Sequence, residues 1–125
     1  MSYNKVMLIG RVGQDPTISH DYFDPKKLSY ATFSLATTEK HATREGELKQ
    51  STEWHRIVVW APLARIVESY VKKGIQLFIE GSIKTRTFDK DGQKHFITEV
   101  HATQIRLLGK SGSEAEPLST QEPKS

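Results

Sequence analysis

Apolar and polar side chains alternate through much of this chain, and in one window the rhythm changes. From Leu28 to Thr38, Ala31, Phe33 and Leu35 alternate with Tyr30, Thr32 and Ser34, the period of two expected of a strand with one buried face. The earlier run KVMLIGRV, residues 5–12, is short, rich in branched aliphatics and closed by Gly13-Gln14-Asp15-Pro16, so it reads as a strand ending in a turn. A third strand is expected from Glu53 to Ala61, EWHRIVVWA. After Pro62 the period lengthens: Leu63, Ile66, Val67, Tyr70 and Val71 share one helical face, Lys72 and Lys73 suit the C-terminal end of the dipole, and Gly74 suits a left-handed cap. That pattern predicts one helix of about three turns. A long fourth strand, IQLFIEGSIKTRTF, and a fifth from His95 to Leu108 flank Asp89–Lys94, a hairpin turn built around Asp91-Gly92. The polar stretch 39–51, EKHATREGELKQS, has no such period and reads as a long exposed loop.

Three strands, a helix and two strands make a sheet too small to leave both edges open safely, and closing it into a barrel removes them. The expected fold is therefore all-β: an OB-fold, a five-stranded Greek-key barrel with one helix between strands 3 and 4. The last segment, GKSGSEAEPLSTQEPKS, is Gly, Ser, Pro and charge, which predicts a folded domain over residues 1–108 and a disordered tail over 109–125.

Whole-chain charge says little, because 18 Lys plus Arg against 15 Asp plus Glu give only +3. Removing the tail's two Lys and three Glu leaves 16 basic against 12 acidic residues, so the basicity belongs to the domain. The absence of cysteine excludes disulfides, thiolate metal sites and a cysteine nucleophile. The five histidines, His20, His41, His55, His95 and His101, lack metal-ligand spacing, so neither a metal nor a cofactor is expected. No apolar run approaches the roughly 18 to 20 residues of a membrane span, so no membrane partner is expected. The first residues carry neither a signal peptide nor an organelle presequence, which leaves a protein acting where it is made or one already processed.

The third strand carries the informative chemistry. Alternation puts Trp54, Arg56, Val58 and Trp60 on one face and His55, Ile57, Val59 and Ala61 on the other. The second set is an adequate core face, which leaves two indoles flanking a guanidinium on the opposite side. Unpaired bases stack on aromatic faces and Arg neutralises phosphates, so this layout fits single-stranded nucleic acid. The competing reading buries the tryptophans in a second small core beneath the 39–51 loop. On the fourth strand Ser82, Lys84, Arg86 and Phe88 oppose Leu77, Ile79, Ile83 and Thr85; Phe78 falls on the polar set, so the strand reads as buried on both sides near its start and exposed beyond Gly81, where a bulge shifting the phase is also expected. Taken alone, Lys84 and Arg86 would be an ordinary solvated edge. A metal-dependent nuclease built from Glu80, Asp89, Asp91 and Arg86 is disfavoured, since Asp89 and Asp91 are turn residues. A module that docks a protein through the same aromatic face stays open.

Several segments resemble one family closely. NKVMLIGRVGQDP at 4–16, FSLATTE at 33–39, TEWHRIVVW at 52–60, YVKKG at 70–74, FIEGSIKTRTF at 78–88 and DGQKHFITEV at 91–100 are similar to the single-stranded DNA-binding proteins of the bacterial and mitochondrial type. The resemblance implies base stacking by Trp54, Trp60 and Phe88, with His41 a weaker stacker where the family tends to place an aromatic. Arg56, Lys84, Arg86, Lys49, Arg11 and Lys5 are the expected phosphate contacts beside them, and the resemblance places His55 at a position of subunit contact. It further implies a homotetramer that coats and protects single strands during replication, repair and recombination, without turnover or strong sequence preference, beside replication proteins such as polymerase and helicase. The chain ends Gln121-Glu122-Pro123-Lys124-Ser125 rather than in the acidic Pro-Phe tip of bacterial members. That departure favours a mitochondrial member of the matrix nucleoid with its presequence removed, with the bacterial cytoplasm as the alternative.

Overall fold

The computed structural model describes residues 1–109, so the expected tail over 109–125 lies outside the described residues except for Gly109, which ends the last strand. Among these described residues six strands and one helix follow in the order β1 (Val6–Val12), β2 (Thr17–His20), β3 (Leu28–Ala42), β4 (Leu48–Trp60), α1 (Ala64–Tyr70), β5 (Gln76–Lys90) and β6 (Gln93–Gly109). Pairing runs β1-β5-β6-β4-β3 and returns from β3 to β1 through Arg11 opposite Ala36 and Val12 opposite Leu35. Five strands therefore close a barrel, and β2 adds to β3 outside that ring. All contacts in the ring are antiparallel except β4 with β6, where Ile57 faces Val100 and Val58 faces His101. This is the expected all-β OB-fold barrel with its helix between the third and fourth barrel strands.

The inward faces meet in one core. Ala31, Phe33 and Leu35 of β3, Ile57 and Val59 of β4, Leu77 and Ile79 of β5, and Val100 and Ile105 of β6 pack with Ala64 and Val67 of α1. Leu35, Ile57, Leu77 and Ile79 have no exposed surface, and truncating any of them to Ala costs about 2 to 5 kcal/mol. The same core fixes which side chains point out, because a one-residue slip would exchange the faces.

Several expectations change. The 39–51 segment is not a loop: β3 and β4 stay paired from Tyr30 opposite Trp60 to Ala42 opposite Leu48, leaving only residues 43–47 as the turn. Both faces of this arm meet solvent, so no hydrophobic alternation marks it. Short β2 went unrecognised for a similar reason, since TISH offers no apolar run. The helix spans seven residues, not three turns, because Val71 is already extended. Its buried stripe is Ala64, Val67 and, just beyond, Val71, while Tyr70 is exposed and Lys72 and Lys73 lie past the helix. The irregularity at Gly81 is present, but the pairing passes from Glu80–Gln104 to Gly81–Ala102, so the unpaired residue is Thr103 on β6. At the far end of β5 the hairpin turns at Asp91-Gly92 as expected, but Asp89 and Lys90 still pair with Lys94 and Gln93, so the turn is two residues rather than six; Asp91 and Gly92 both have positive φ, 52° and 75°, which suits the turn type that matches strand twist.

Candidate nucleic-acid interface

The outward face of β4 lies between β3 and β6. Trp54 and Trp60 are 62% and 50% exposed, whereas Ile57 and Val59 are fully covered, so the tryptophans fill no second core. Six residues of strand separate the indoles by about 20 Å, a spacing for two separate bases rather than one. Val58 points the same way but is buried, which leaves Arg56 as the polar group between the two rings.

Each indole is held from the side. The ring of Trp54 covers Gly13, where a Cβ would come within 2.5 Å of it; Gly13, Gln14, Ser34 and Trp54 together line a shallow recess. Trp60 packs against Tyr30, directly across from it on β3, with centroids 5.1 Å apart, and its Nε1 donates to His101 Nδ1 at 3.3 Å. At the tip of the β5–β6 arm Phe88 stacks on His95, centroids 5.3 Å and planes 18° apart.

Arg56 and Arg86 do not stand free. Both donate from Nε to one oxygen of Glu99, Oε2, at 2.8 and 3.1 Å, and His101 Nε2 meets the other oxygen at 3.2 Å. Glu99 is 3% exposed. Burial pushes its pKa up, but the hydrogen bonds from Arg56, His101 and Arg86 outweigh that and hold the carboxyl below its ordinary value. One buried negative charge under two guanidiniums leaves this part of the face cationic.

Among the other expected cations, Lys84 sits opposite Glu99 across the β5–β6 ladder and has no ion-pair partner among the described residues. Lys5 pairs with Glu80 at 3.2 Å, and Arg11, half-buried, donates from Nη1 to the Gly74 carbonyl at 2.9 Å. His41 and Lys49 face each other across the β3–β4 arm and by alternation share the side of His55, opposite Trp54 and Arg56. His55 is half-buried with Nε2 bonded to the Thr37 hydroxyl at 2.8 Å. The structure thus brings Trp54, Arg56, Trp60, Lys84 and Arg86 onto one surface and leaves His41, Lys49 and Lys5 apart from it.

Tyr30, Glu99 and His101 were not foreseen. A period-two reading of β6 would have placed Glu99 and His101 on one side and Val100 on the core side, but nothing in the sequence says that the carboxylate is buried. Glu80, Asp89 and Asp91 do not converge, since nine residues of strand, about 30 Å, separate Glu80 from Asp89.

Comparison with known proteins agrees with this geometry. Residues 3–108 match the model of the single-strand binding protein family. The single-stranded DNA-binding protein 1 of Chlorobaculum tepidum is 44% identical over 112 residues, 88% of this chain and 67% of that protein. The single-stranded DNA-binding protein of Bacteroides thetaiotaomicron is 44% identical over 116 residues, 90% and 70% of the two chains. Among solved structures, a Plasmodium falciparum SSB in complex with ssDNA superposes with a TM-score of 0.76 at 37% identity, covering 86% of this chain and 97% of that one. A single-stranded DNA binding protein from Thermus aquaticus gives 0.70 at 26% identity, covering 85% and 50%.

Proposed function

The chain belongs to the single-strand binding protein family, and on that premise we propose that it coats and protects single-stranded DNA during replication, repair and recombination, with little sequence preference and no turnover. Bases stack on Trp54, Trp60 and Phe88, while Arg56, Arg86 and Lys84 take up phosphate charge and release counterions. Lys5, Lys49 and the weaker stacker His41, outside the central surface, and Arg11, which shares the face of Trp54 through Ala36, serve strand that passes around the barrel. The observation that carries this reading is the pair of half-exposed indoles with cations between them on an outward strand face.

The working form is a homotetramer, supported by exposed Met7 and Ile9 on the outer face of β1. Polymerase and helicase acting on the same strand are its expected protein partners. Both curated relatives described above come from bacteria, which supports the bacterial cytoplasm over the mitochondrial matrix as its setting. The folded unit is residues 1–108, a reading supported by a family model that spans residues 3–108.

Fluorescence anisotropy with labelled thymidine homopolymer, a mixed-sequence strand and duplex tests the reading. Similar affinity for both single strands, much weaker duplex binding and intact oligonucleotide after incubation with magnesium are expected. Tight duplex binding or strand cleavage would refute it.

A further inference from the structure

We propose that Glu99 is a positioning residue: it gathers Arg56 and Arg86 into one phosphate seat and, through His101, ties that seat to the Trp60 indole. A backbone phosphate and a neighbouring base are then received together. The inference rests on the single-strand reading above and specifies how its central surface is built.

Arg56 comes from β4 and Arg86 from β5, strands separated in the sheet by β6. Two guanidiniums reaching toward each other would ordinarily repel. Here both Nε atoms meet the same carboxylate oxygen, so they lie no farther apart than the two bonds laid end to end. The acid is beneath and the cations are on top, with Glu99 3% exposed and the arginine side chains 42% and 52% exposed. Only Nε is used on each arginine; the Nη groups have no partner among the described residues, and they form the fork that suits a phosphate. A carboxylate open to solvent on such a face would repel the backbone, whereas one covered by two guanidiniums orients them instead.

The second oxygen of Glu99 extends the arrangement. His101 meets it through Nε2 and accepts the Trp60 indole N–H at Nδ1, a pattern that selects the neutral tautomer protonated at Nε2. Rotation of Trp60 therefore has to break a link that leads back to the seat. Tyr30 holds the ring from its other side.

Glu99→Gln separates positioning from charge by the sign of its effect. It makes the face more positive, so charge alone predicts tighter binding of thymidine homopolymer. Positioning predicts binding weaker by about tenfold, because the amide offers one acceptor where two guanidiniums and an imidazole had two. Arg56→Ala and Arg86→Ala form a cycle that leaves Glu99 in place. Each should weaken binding, and the double variant should be little worse than either single one, since losing one arm dismantles the seat. Arg56→Lys, which keeps the charge and lacks the fork, should resemble Arg56→Ala. His101→Phe should lower the tryptophan quenching on binding and leave the salt dependence nearly unchanged.

Tighter binding by a folded Glu99→Gln, or additive arginine losses with full rescue by lysine, would overturn the proposal while leaving the single-strand reading intact. If Glu99→Gln does not fold, the arginine cycle decides alone. No loss of binding in the arginine variants and in Trp54→Ala plus Trp60→Ala would instead remove the single-strand reading.

Discussion

Two outward surfaces of one barrel expose apolar side chains, and they differ in what stands beside them. On β4 and the adjoining strands each indole has a cation or a ring within one or two residues: Trp54 and Trp60 flank Arg56, and Tyr30 and His101 brace Trp60. On β1, Met7 and Ile9 are 59% and 56% exposed and face Glu80 and Phe78 across the ladder to β5; the charges beside them are already engaged, Glu80 with Lys5 and the Arg11 guanidinium with the Gly74 carbonyl. Flat rings among cations suit a ligand with π-faces and phosphates. An aliphatic row whose neighbouring charges already neutralise each other suits another apolar surface, here a second copy of the chain. Exposed hydrophobicity alone would have grouped the two; the neighbouring charges separate them.

Changes on the aromatic surface should have the largest effect. Trp54→Ala plus Trp60→Ala should weaken single-strand binding by about two orders of magnitude, given about 1 to 3 kcal/mol per stacked base, a range for which single-strand binding proteins are themselves a standard example. Both rings are half-exposed, so the melting temperature should stay near that of the parent, and anisotropy alongside thermal unfolding checks the pair. The opposite surface is broken by Met7→Lys plus Ile9→Lys. Light scattering should then report a smaller species, with short oligonucleotides still quenching tryptophan fluorescence; an unchanged mass would move the self-contact away from β1. A smaller effect is expected from Gly13→Ala, whose methyl would press on the Trp54 ring. That exposed ring can shift, so binding should weaken only a few-fold and the tryptophan emission should move.

The smallest effect is one of acidity. Glu99 has its pKa lowered in the fold, so its contribution to stability is fully present above the unfolded carboxylate pKa and is lost as pH falls through the folded value. Chemical denaturation across that acid range should show the parent losing more stability than Glu99→Gln. Identical slopes would mean that the carboxylate is not held by its arginines in solution.

Both surfaces were only partly legible in the sequence. The β4 alternation disclosed the aromatic face because Ile57 and Val59 mark the core side unambiguously. The arm over residues 39–51 was hidden, since strand pairing with solvent on both faces leaves no periodicity. Trp54 and Trp60 were legible as neighbours of Arg56, yet the state of Arg56 was not: its partner Glu99 lies 43 residues away on a strand joined to β4 by parallel pairing. Short-range patterns specify which face a side chain takes; they do not specify what a third strand will place beneath it. The helix showed the same limit, as Ala64 rather than Tyr70 faces the core because the barrel determines how long the helix runs.

The most direct measurement is intrinsic tryptophan fluorescence during titration with thymidine homopolymer, alongside a duplex of the same length. The account predicts strong, saturable quenching by the single strand, since Trp54 and Trp60 are the only tryptophans and both lie on the proposed surface, and little change with the duplex. Saturable binding of the single strand with unaltered tryptophan emission would contradict it.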